Sequence, residues 1–506
     1  MKLALICLFV FLGIPSVAIA APLSQPTPQI LYVKAIPTGS ANCTSWDNAC
    51  GLQAALDIAE PGHQVWVAAG TYLPTKLTNS TEPRSATFAL ETGVEIYGGF
   101  PADGGDWDER DSVTHLTRLS GDLGNPGNKA DNSFHVITYE EVGATAILDG
   151  FTISDGNAIY VFDYFHGIPS DRHGGGIFIS NSSPILTNLI VNNNSAESMG
   201  GGVFNESSSP RLSNVTFTAN SAQAGGGMAN YNSAPRLTNV TFNSNYSLVY
   251  GGGMYSTFNC IPMLTNVTFS SNHSDREGGG ILNESSNSIL INVTFYSNTA
   301  DVGGGAISNY RSNPTITNAI LWGNNPAQIF NWQSTTNINY SNIEGGHIGT
   351  GNFNLDPQLA PLADNGGLTQ THALGAESPA IDKGDPNNCS MTDQRDFFRP
   401  IDGDADGVPA CDMGAYEFGS VYDGFSLTAE ALGCGTVTKD PSKAGFHLGE
   451  IVTLQASPLP GCSFEGWSGD AEGTDNPLLV TVGGSLAFTA NFQRNFYVYI
   501  LFPIYK

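Results

Sequence analysis

The chain has 506 residues and a formal net charge of −27, from 19 Lys and Arg against 46 Asp and Glu, although only 13% of its residues are charged. A surface this acidic and this poor in basic side chains makes nucleic acid an unfavourable partner, because few groups could neutralise phosphates. The length is too great for one ordinary compact core unless that core grows along one axis. Length and composition therefore favour a repeat architecture.

Residues 1–20 have the pattern of a secretory signal peptide. Basic Lys2 precedes an apolar run from Leu3 to Gly13, and the small residues Ala18 and Ala20 follow. This order of segments predicts cleavage after Ala20 and export of the remaining chain. The expected location is outside the cell or on its surface.

The seven cysteines beyond the signal peptide fall into three neighbouring pairs and one remainder. The spacing predicts three disulfides, which are Cys43 with Cys50, Cys389 with Cys411, and Cys434 with Cys462. Disulfides form in oxidising compartments, which agrees with export. Cys260 is left over, and we expect a small buried side chain there rather than a reactive thiol.

Triple glycines recur at intervals of 26, 25, 26, 27 and 25 residues, and an asparagine recurs with them. The glycine runs begin at Gly174, Gly200, Gly225, Gly251, Gly278 and Gly303, and the asparagines are Asn188, Asn214, Asn239, Asn266, Asn292 and Asn318. A period in the twenties without helical periodicity predicts a solenoid in which each repeat is one turn of chain.

Apolar residues within a repeat show where each turn bends. Val215 follows Leu212 by three residues, and Phe217 follows Val215 by two. In a continuous strand, residues on the same face are separated by even numbers of positions, so the step of three interrupts the alternation. This interruption predicts a corner at Asn214, because asparagine tolerates left-handed backbone. Inward ladders are then expected at Val215, Val240, Val267 and Val293, and at Phe217, Phe242, Phe269 and Phe295.

Three short strands per turn describe an all-β fold, a right-handed parallel β-helix. We predict this β-helix over residues 30–350, with a capping region at 30–75 and glycine-marked turns at about 131–345. A leucine-rich repeat does not fit, because its leucine series is absent. A β-propeller does not fit either, because it needs longer units of four strands.

The repeat also resembles a known family. GGG followed by Ile, Val or Met, together with FTAN, FNSN, FSSN and FYSN, resembles the GGAI and FxxN repeats of chlamydial polymorphic outer-membrane proteins. Those proteins are autotransported surface adhesins with β-helical passengers. The resemblance implies a surface-exposed β-helix, and it specifies fold better than function.

The stretch LQAALDIAEPGHQVWVAAGTYLPT resembles the opening of pectate-lyase-like β-helix proteins. The resemblance implies an amphipathic helix from Leu52 to Glu60 that covers the end of the core, before a first strand from Val65 to Ala68. A cap is physically required, because an uncovered first turn leaves its backbone groups unpaired.

Two further resemblances concern the C-terminal part of the chain. ESPAIDKGDPNNC and DFFRPIDGDADGVPACDMGAYEF, in residues 351–419, resemble the choice-of-anchor Q family of bacterial surface proteins, which implies display at or near the cell surface. Residues 424–493 resemble a divergent internalin-type B repeat, a small β-rich domain, with Trp467 as its core anchor.

The apolar tail at 494–506 is too short for a membrane-spanning helix, so we expect no transmembrane span.

The motif DGDADG, from Asp402 to Gly407, favours a cation site. It places three carboxylates at alternate positions and a glycine at the sixth, which suits a hard cation in a tight loop. A full EF-hand is excluded because its twelfth position is Met413. We expect a structural Ca²⁺, and a solvated acidic turn is the alternative. The expected ligands are Asp402, Asp404, Asp406 and Asp412, with Glu417 as an alternative to the last.

An enzyme is the main alternative function, because polysaccharide lyases and hydrolases also use this fold. Glu206 and Glu284 share a register three turns apart, and at about 4.8 Å per turn this is roughly 14 Å. An inverting carboxylate pair needs about 6.5–9.5 Å, so this pair fails. If the chain is an enzyme, the predicted catalytic residues are Asp155, Asp171 and Arg172.

The stretch between residues 155 and 171 departs from the repeat and resembles an inserted loop, where a β-helix would place a binding site. An aromatic-packed loop without a ligand is the alternative. The candidate side chains for stacking on a sugar are Tyr160, Phe162, Tyr164 and His166.

Together these features favour a secreted or cell-surface rod that binds glycans, cells or matrix as an adhesin does. A carbohydrate-active enzyme with its site on a β-helix face or in the 155–171 loop is the first alternative. A structural surface-layer component is the second.

Overall fold

The computed structural model of the chain describes residues 29–159, 169–420, 425–441, 446, 451–482 and 485–494. The predicted signal peptide and the residues Tyr160, Phe162, Tyr164 and His166 lie outside these ranges, as does the tail beyond Arg494. Within these ranges, the structure has no helix that is long and apolar enough to cross a membrane.

Three parallel sheets wind into a β-helix, which confirms the predicted fold class. The first sheet has 16 strands. In chain order they are Ile30–Val33, Gln64–Ala68, Gly70–Tyr72, Glu95–Phe100, Thr117–Ser120, Ile147–Asp149, Thr152–Ser154, Ile185–Asn192, Arg211–Thr218, Arg236–Asn243, Met263–Ser270, Ile289–Tyr296, Thr315–Thr317, Ile320–Trp322, Asn337–Asn339 and Asn342–Ile343.

The other two sheets complete each turn. The second sheet has nine strands, which are Phe88–Ala89, Ile137–Glu140, Ile177–Ser180, Val203–Glu206, Met228–Tyr231, Met254–Thr257, Ile281–Glu284, Ile307–Tyr310 and Ile329–Trp332. The third sheet has six strands, which are Asn157–Ala158, Ser195–Ala196, Ser221–Ala224, Tyr246–Tyr250, His273–Ser274 and Thr299–Ala300. A regular turn visits the first sheet, then the third, then the second.

The capping helix is shorter than predicted. It runs over Leu52–Leu56, where Leu52, Ala55 and Leu56 are buried against the end of the core. The predicted extension to Glu60 is wrong, and Pro61 offers a reason, because a proline disfavours helical backbone at the residue before it. The first strand is Ile30–Val33, ahead of the helix, so the prediction that the sheet starts at Val65 is also wrong.

In the part of the chain that the structure describes, six short 3₁₀ segments lie in the connections. They are Trp46–Asn48, Pro83–Ser85, Trp107–Glu109, Lys129–Asp131, Pro169–Arg172 and Pro386–Asn388.

The triple glycines are required where the chain enters the second sheet. Gly200 has φ 70°, in the left-handed region that side chains disfavour. A Cβ on Gly201 would lie 2.4 Å from the Ser221 carbonyl oxygen and 2.6 Å from that of Gly226. Successive turns therefore approach too closely at this corner to accommodate a side chain.

The predicted asparagine corner is confirmed. All six of these asparagines have left-handed backbone, with φ between 52° and 56°. Strand Arg211–Thr218 continues on both sides of Asn214, and its register to the next turn pairs Val215 with Val240 and Phe217 with Phe242.

The phenylalanine ladder forms the centre of the core. Phe217, Phe242, Phe269 and Phe295 are fully buried, and neighbouring rings stack with centroids 4.6, 4.7 and 4.8 Å apart. Each buried aromatic side chain stabilises the fold by about 1.5–3 kcal/mol through the loss of contact with water.

A second asparagine ladder lies inside the rod, at the last position of each FxxN motif. Asn220 donates from Nδ2 to Asn245 Oδ1 at 3.0 Å and to the Val191 carbonyl at 2.8 Å, while its backbone N–H also donates to Asn245 Oδ1. Asn245 makes the same bonds to Asn272 and to the Phe217 carbonyl. The amides thus satisfy the buried backbone groups of a turn that the three sheets leave unpaired.

Residues 351–420 pack along the outer face of the first sheet. Asn239 Nδ2 donates to Asp396 Oδ1 at 2.7 Å, and Thr268 Oγ1 donates to Gln394 Oε1 at 2.7 Å. This segment contains turns and the 3₁₀ segment given above rather than long strands. It is therefore held to the rod by side-chain rows of the repeat.

The C-terminal residues fold into two small three-stranded sheets. One contains Leu427–Leu432, Cys462–Gly469 and Leu486–Arg494, and the other contains Gly435–Asp440, Ile451–Pro458 and Leu478–Thr481. Trp467 is buried between them, and its Nε1 donates to the Asp475 carbonyl at 2.8 Å. The tryptophan therefore lies in the core of this domain rather than on its surface.

Within the described ranges there are three disulfides, Cys43–Cys50, Cys389–Cys411 and Cys434–Cys462. Cys260 is a buried free thiol. Its Sγ accepts from the Ser233 N–H at 3.2 Å, and its own N–H donates to Ser286 Oγ at 3.1 Å. Cys260 thus occupies one position of a buried serine row between turns.

Candidate functional site

Asp155 lies in a network of its own at the end of a first-sheet strand. It forms an ion pair with Arg118 and accepts from Ser154 Oγ at 2.7 Å and from Asn193 Nδ2 at 2.7 Å. Burial by itself would raise the pKa of Asp155, but these hydrogen bonds outweigh it and lower the pKa. The carboxylate is therefore held ionised as a hydrogen-bond acceptor.

The other two predicted catalytic residues have different partners. Asp171 Oδ1 is 3.9 Å from His135 Nε2, and Arg172 is 3.7 Å from Glu197 Oε1. Each of the three predicted residues is thus engaged by a different group. Among the described residues, Asp155 thus pairs with Arg118, Asp171 lies near His135, and Arg172 lies near Glu197, so the three do not share a partner.

The acidic motif forms a cluster that includes one residue the motif did not indicate. Carboxylate oxygens of Asp382, Asp402 and Asp404 lie within 4.8 Å of one another. Asp382 Oδ2 accepts from the N–H groups of Gly403 and Asp404, whereas its Oδ1 is enclosed without a hydrogen-bond partner. Burial and the Asp404 carboxylate raise the pKa of Asp382, which is the electrostatic condition that a bound cation relieves.

Two of the four predicted metal ligands point to other groups. Asp406 accepts from the Val408 N–H at 2.8 Å. Asp412 is buried and accepts from the Asp382 N–H at 2.8 Å, and its own N–H donates to Glu417 Oε2 at 3.0 Å. The sequence signal for Asp382 was its position in AIDKGD, which lies about twenty residues from the motif and becomes adjacent only in the fold.

An exposed aromatic edge runs along the second sheet. By strand register, one outward row contains Ser180, Glu206, Tyr231, Thr257, Glu284, Tyr310 and Trp332. The predicted register of Glu206 and Glu284 three turns apart is correct. The row was missed as an aromatic edge because its members become neighbours only when the strands pair.

Two aromatic pairs form this edge. The Tyr231 and Phe258 rings have centroids 4.5 Å apart, and Phe258 is 56% exposed. At the far end, Trp332 is 43% exposed, lies 5.7 Å from Tyr310, and carries the Arg311 guanidinium 5.4 Å from its ring centre. Rings that offer a flat apolar surface with polar groups beside it are suited to amphipathic ligands.

Carboxylates lie beside these rings, since Glu206 is the register neighbour of Tyr231 and Glu284 is that of Tyr310. Glu284 accepts from the Tyr255 hydroxyl, and Glu206 Oε2 accepts from Ser180 Oγ at 3.2 Å. A groove of about 580 Å³ opens next to Glu206. Its lining consists of Glu140, Glu141, Phe178, Ser180, Asn181 and Glu206. The second-sheet face therefore combines ring surfaces with many hydrogen-bond acceptors.

His173, which follows the inserted loop in sequence, lies on this same face. Beyond the aromatic stretch, His173 stacks on Phe204 of the second sheet with ring centroids 4.6 Å apart. Burial lowers the pKa of His173 to about 4, and His135 and Arg172 add to this effect.

The family comparisons agree with two of the resemblances. Residues 425–496 match the divergent InlB B-repeat domain, and residues 266–284 and 292–310 match the Chlamydia polymorphic membrane protein repeat. No curated protein sequence matches the chain. The resemblance of residues 351–419 to the choice-of-anchor Q family stays a prediction.

Three solved structures show a distant likeness. Pectate lyase Pel9A is 13% identical, with a TM-score of 0.41 over 78% of this chain and 97% of its own. A pectin methylesterase from Aspergillus niger is 12% identical, with a TM-score of 0.24 over 62% of this chain and 87% of its own. A pectin methylesterase in complex with a hexasaccharide is 11% identical, with a TM-score of 0.26 over 64% and 93%. At these values of identity and TM-score, the structural likeness says nothing about activity. The chain is a β-helical protein with repeats that match the polymorphic membrane protein model and a C-terminal domain that matches the InlB B-repeat model.

Proposed function

We propose that the protein is an exported β-helical rod that binds glycans of a cell surface or matrix along the outer face of its second sheet. The observation that carries this proposal is the exposed aromatic edge, in which Tyr231 with Phe258 and Tyr310 with Trp332 lie beside carboxylates of the same row. A sugar ring presents apolar C–H faces and polar edges, so it matches flat rings flanked by acceptors.

Export is supported by several features that are independent of this face. The leader sequence has the order of a signal peptide, and the three disulfides fit an oxidising compartment. The two matched family models describe a membrane-protein repeat and an InlB B-repeat. Display at the cell surface through the C-terminal modules is the arrangement we propose.

We also propose that the inserted loop contributes to this binding face, because it is close in sequence to His173. Its aromatic residues Tyr160, Phe162, Tyr164 and His166 precede His173, which lies on the second sheet. Calcium, in this proposal, is structural. It would be held by Asp382, Asp402 and Asp404 within the segment that packs on the first sheet.

A panel of polysaccharides tests the proposal, with retained protein and released sugar ends scored together. Wild type should be retained by at least one neutral glycan, and Trp332→Ala should weaken that retention about tenfold, the equivalent of about 1.4 kcal/mol. Tyr246→Ala is the matched control, because Tyr246 is 37% exposed on the third sheet. Release of sugar ends, or equal loss in both variants, would contradict the proposal.

A further inference from the structure

A row of outward side chains runs along the first sheet two residues after the asparagine corner. By strand register the row is Thr152, Ile190, Thr216, Thr241, Thr268, Thr294 and Ile320. These positions are equivalent in the repeat, so they present the same backbone geometry to whatever lies against them.

Residues 351–420 cover the C-terminal half of this row. Thr241 Oγ1 donates to the Gln370 carbonyl at 2.7 Å, and Thr294 Oγ1 accepts from the Ala415 N–H at 3.0 Å. Ile320 is 1% exposed, because Met413 and other apolar residues of the segment enclose it. This half of the row is thus an established interface for a chain that lies along the rod.

The N-terminal half of the row is open. Ile190, the equivalent of Ile320, is 42% exposed. It forms the floor of a groove of about 290 Å³ whose walls are residues 112–116 on one side and 364–370 on the other. Three exposed apolar side chains, Val113, Leu116 and Leu368, border this floor. The groove therefore continues the covered track with the same kind of apolar floor.

We propose that the chain's own tail, residues 495–506, docks in this groove, as residues 351–420 dock on the neighbouring turns. The tail reads NFYVYILFPIYK, in which every residue except Asn495 and Lys506 is aromatic, aliphatic or proline. Burial of such a segment against Ile190 and Leu368 removes apolar surface of both partners from water.

Charge favours this segment over others of the chain. The charged residue in the groove lining is Asp364, and the charged residue of the tail is Lys506. The chain as a whole carries −27, so most of its segments would bring further negative charge to Asp364. The tail contains no Asp or Glu side chain, and the Lys506 ammonium attracts the Asp364 carboxylate.

The chain also leaves the rod beside the groove. Ser420 Oγ accepts from Arg395 at 2.7 Å, and Arg395 lies directly against Gly367 of the groove wall, where a Cβ would be 2.6 Å from the Arg395 Cα. The linker 421–424 spans at most about 18 Å, and the final strand Leu486–Arg494 is about 27 Å long. A fully extended tail of twelve residues spans about 40 Å, which exceeds the length of the final strand, so the tail can run back along that strand toward Ser420.

Thiol labelling of the groove tests the proposal in the full chain. A cysteine is placed at the exposed wall by Leu368→Cys, in a Cys260→Ser background that removes the natural free thiol and restores the serine row. Its labelling rate by a maleimide is compared between the native tail and a tail carrying Ile500→Asp and Phe502→Asp. We expect labelling at least tenfold faster with the altered tail, because the docked segment no longer shields the wall.

The matched control is Leu248→Cys, an equally exposed position (51% against 50%) on the third sheet, whose labelling rate should not depend on the tail. Ile190→Asp combined with Leu368→Cys and the native tail should reproduce the fast labelling, because it removes the floor of the groove. Equal rates for Leu368→Cys with both tails would overturn the proposal. Protection that increases with protein concentration would also overturn it, because the tail would then come from a second copy.

Discussion

Arg399 and Glu417 form an ion pair with no exposed surface, in which Arg399 Nε lies 2.8 Å from Glu417 Oε2. Glu417 also accepts from the Ile401 N–H at 2.9 Å, and a second buried carboxylate, Asp412, lies beside it. Burial raises the pKa of Glu417, and the Arg399 guanidinium opposes that rise. The residues around DGDADG are therefore tied together by a buried charge network.

We expect Arg399→Met to destabilise the segment strongly. Removal of one partner leaves a buried carboxylate uncompensated, which costs about 3–5 kcal/mol. Chemical denaturation with intrinsic fluorescence measures the loss. Lys76→Met is the control, because the Lys76–Asp57 pair is about half exposed and contributes at most about 1 kcal/mol. Equal small losses in both variants would show that the buried pair does not stabilise the fold.

The acidic cluster predicts which carboxylates control calcium affinity. Asp382→Asn and Asp404→Ala should each abolish calorimetric binding of Ca²⁺, because each removes one of three convergent carboxylates. Asp406→Ala should bind nearly as well as wild type, since the Asp406 carboxylate is not among the three that converge. Loss of binding with Asp406→Ala but not with Asp382→Asn would restore the ligand set that the motif alone suggests.

His173 predicts an acid-sensitive contribution to stability. Its pKa falls from 6.5 to about 4 in the fold, so between these values the unfolded chain binds a proton that the folded chain does not. The contribution of neutral His173 to the free energy of unfolding is therefore fully present above pH 6.5, and it declines as the pH falls toward 4. At pH 5 the loss should be on the order of 1–2 kcal/mol.

His173→Phe should remove that part of the pH dependence while keeping the stacking on Phe204. The measurement is the melting temperature at pH 7 and at pH 5 for both proteins. The difference between the two pH values should be smaller in the variant. An identical difference in wild type and variant would rule out His173 as the source.

Gly226→Ala tests the close approach of turns. A Cβ at this position would lie 2.2 Å from the Tyr246 carbonyl oxygen and 2.6 Å from that of Gly252, so the turns would have to separate. We expect a loss of at least about 2 kcal/mol and a lower melting temperature. Gly51→Ala is the control, because the nearest atom to its Cβ would be Pro37 Cγ at 3.9 Å. Equal stability of the two variants would contradict the packing argument.

The repeat was predictable from sequence because its signals are local. The break in apolar alternation at Asn214 and the glycine runs indicate the local backbone conformation, which depends on atoms that are near in the chain. The Phe217 to Phe295 ladder follows from the same period, since equal spacing in sequence becomes vertical alignment when turns stack. The helix end at Leu56 and the first strand Ile30–Val33 were missed because the end turns lack that period.

The sequence by itself therefore determined the β-helix, its corners and the pairing of its cysteines. Each of these depends on residues that are close in the chain or that occupy equivalent positions in successive repeats. The tertiary structure decided which side chains from different turns meet. It brought Asp382 to Asp402 and Asp404, engaged Asp155 with Arg118, and left Ile190 exposed where Ile320 is covered. These relationships depend on how a non-repeating segment lies across the turns, and no local pattern specifies that path.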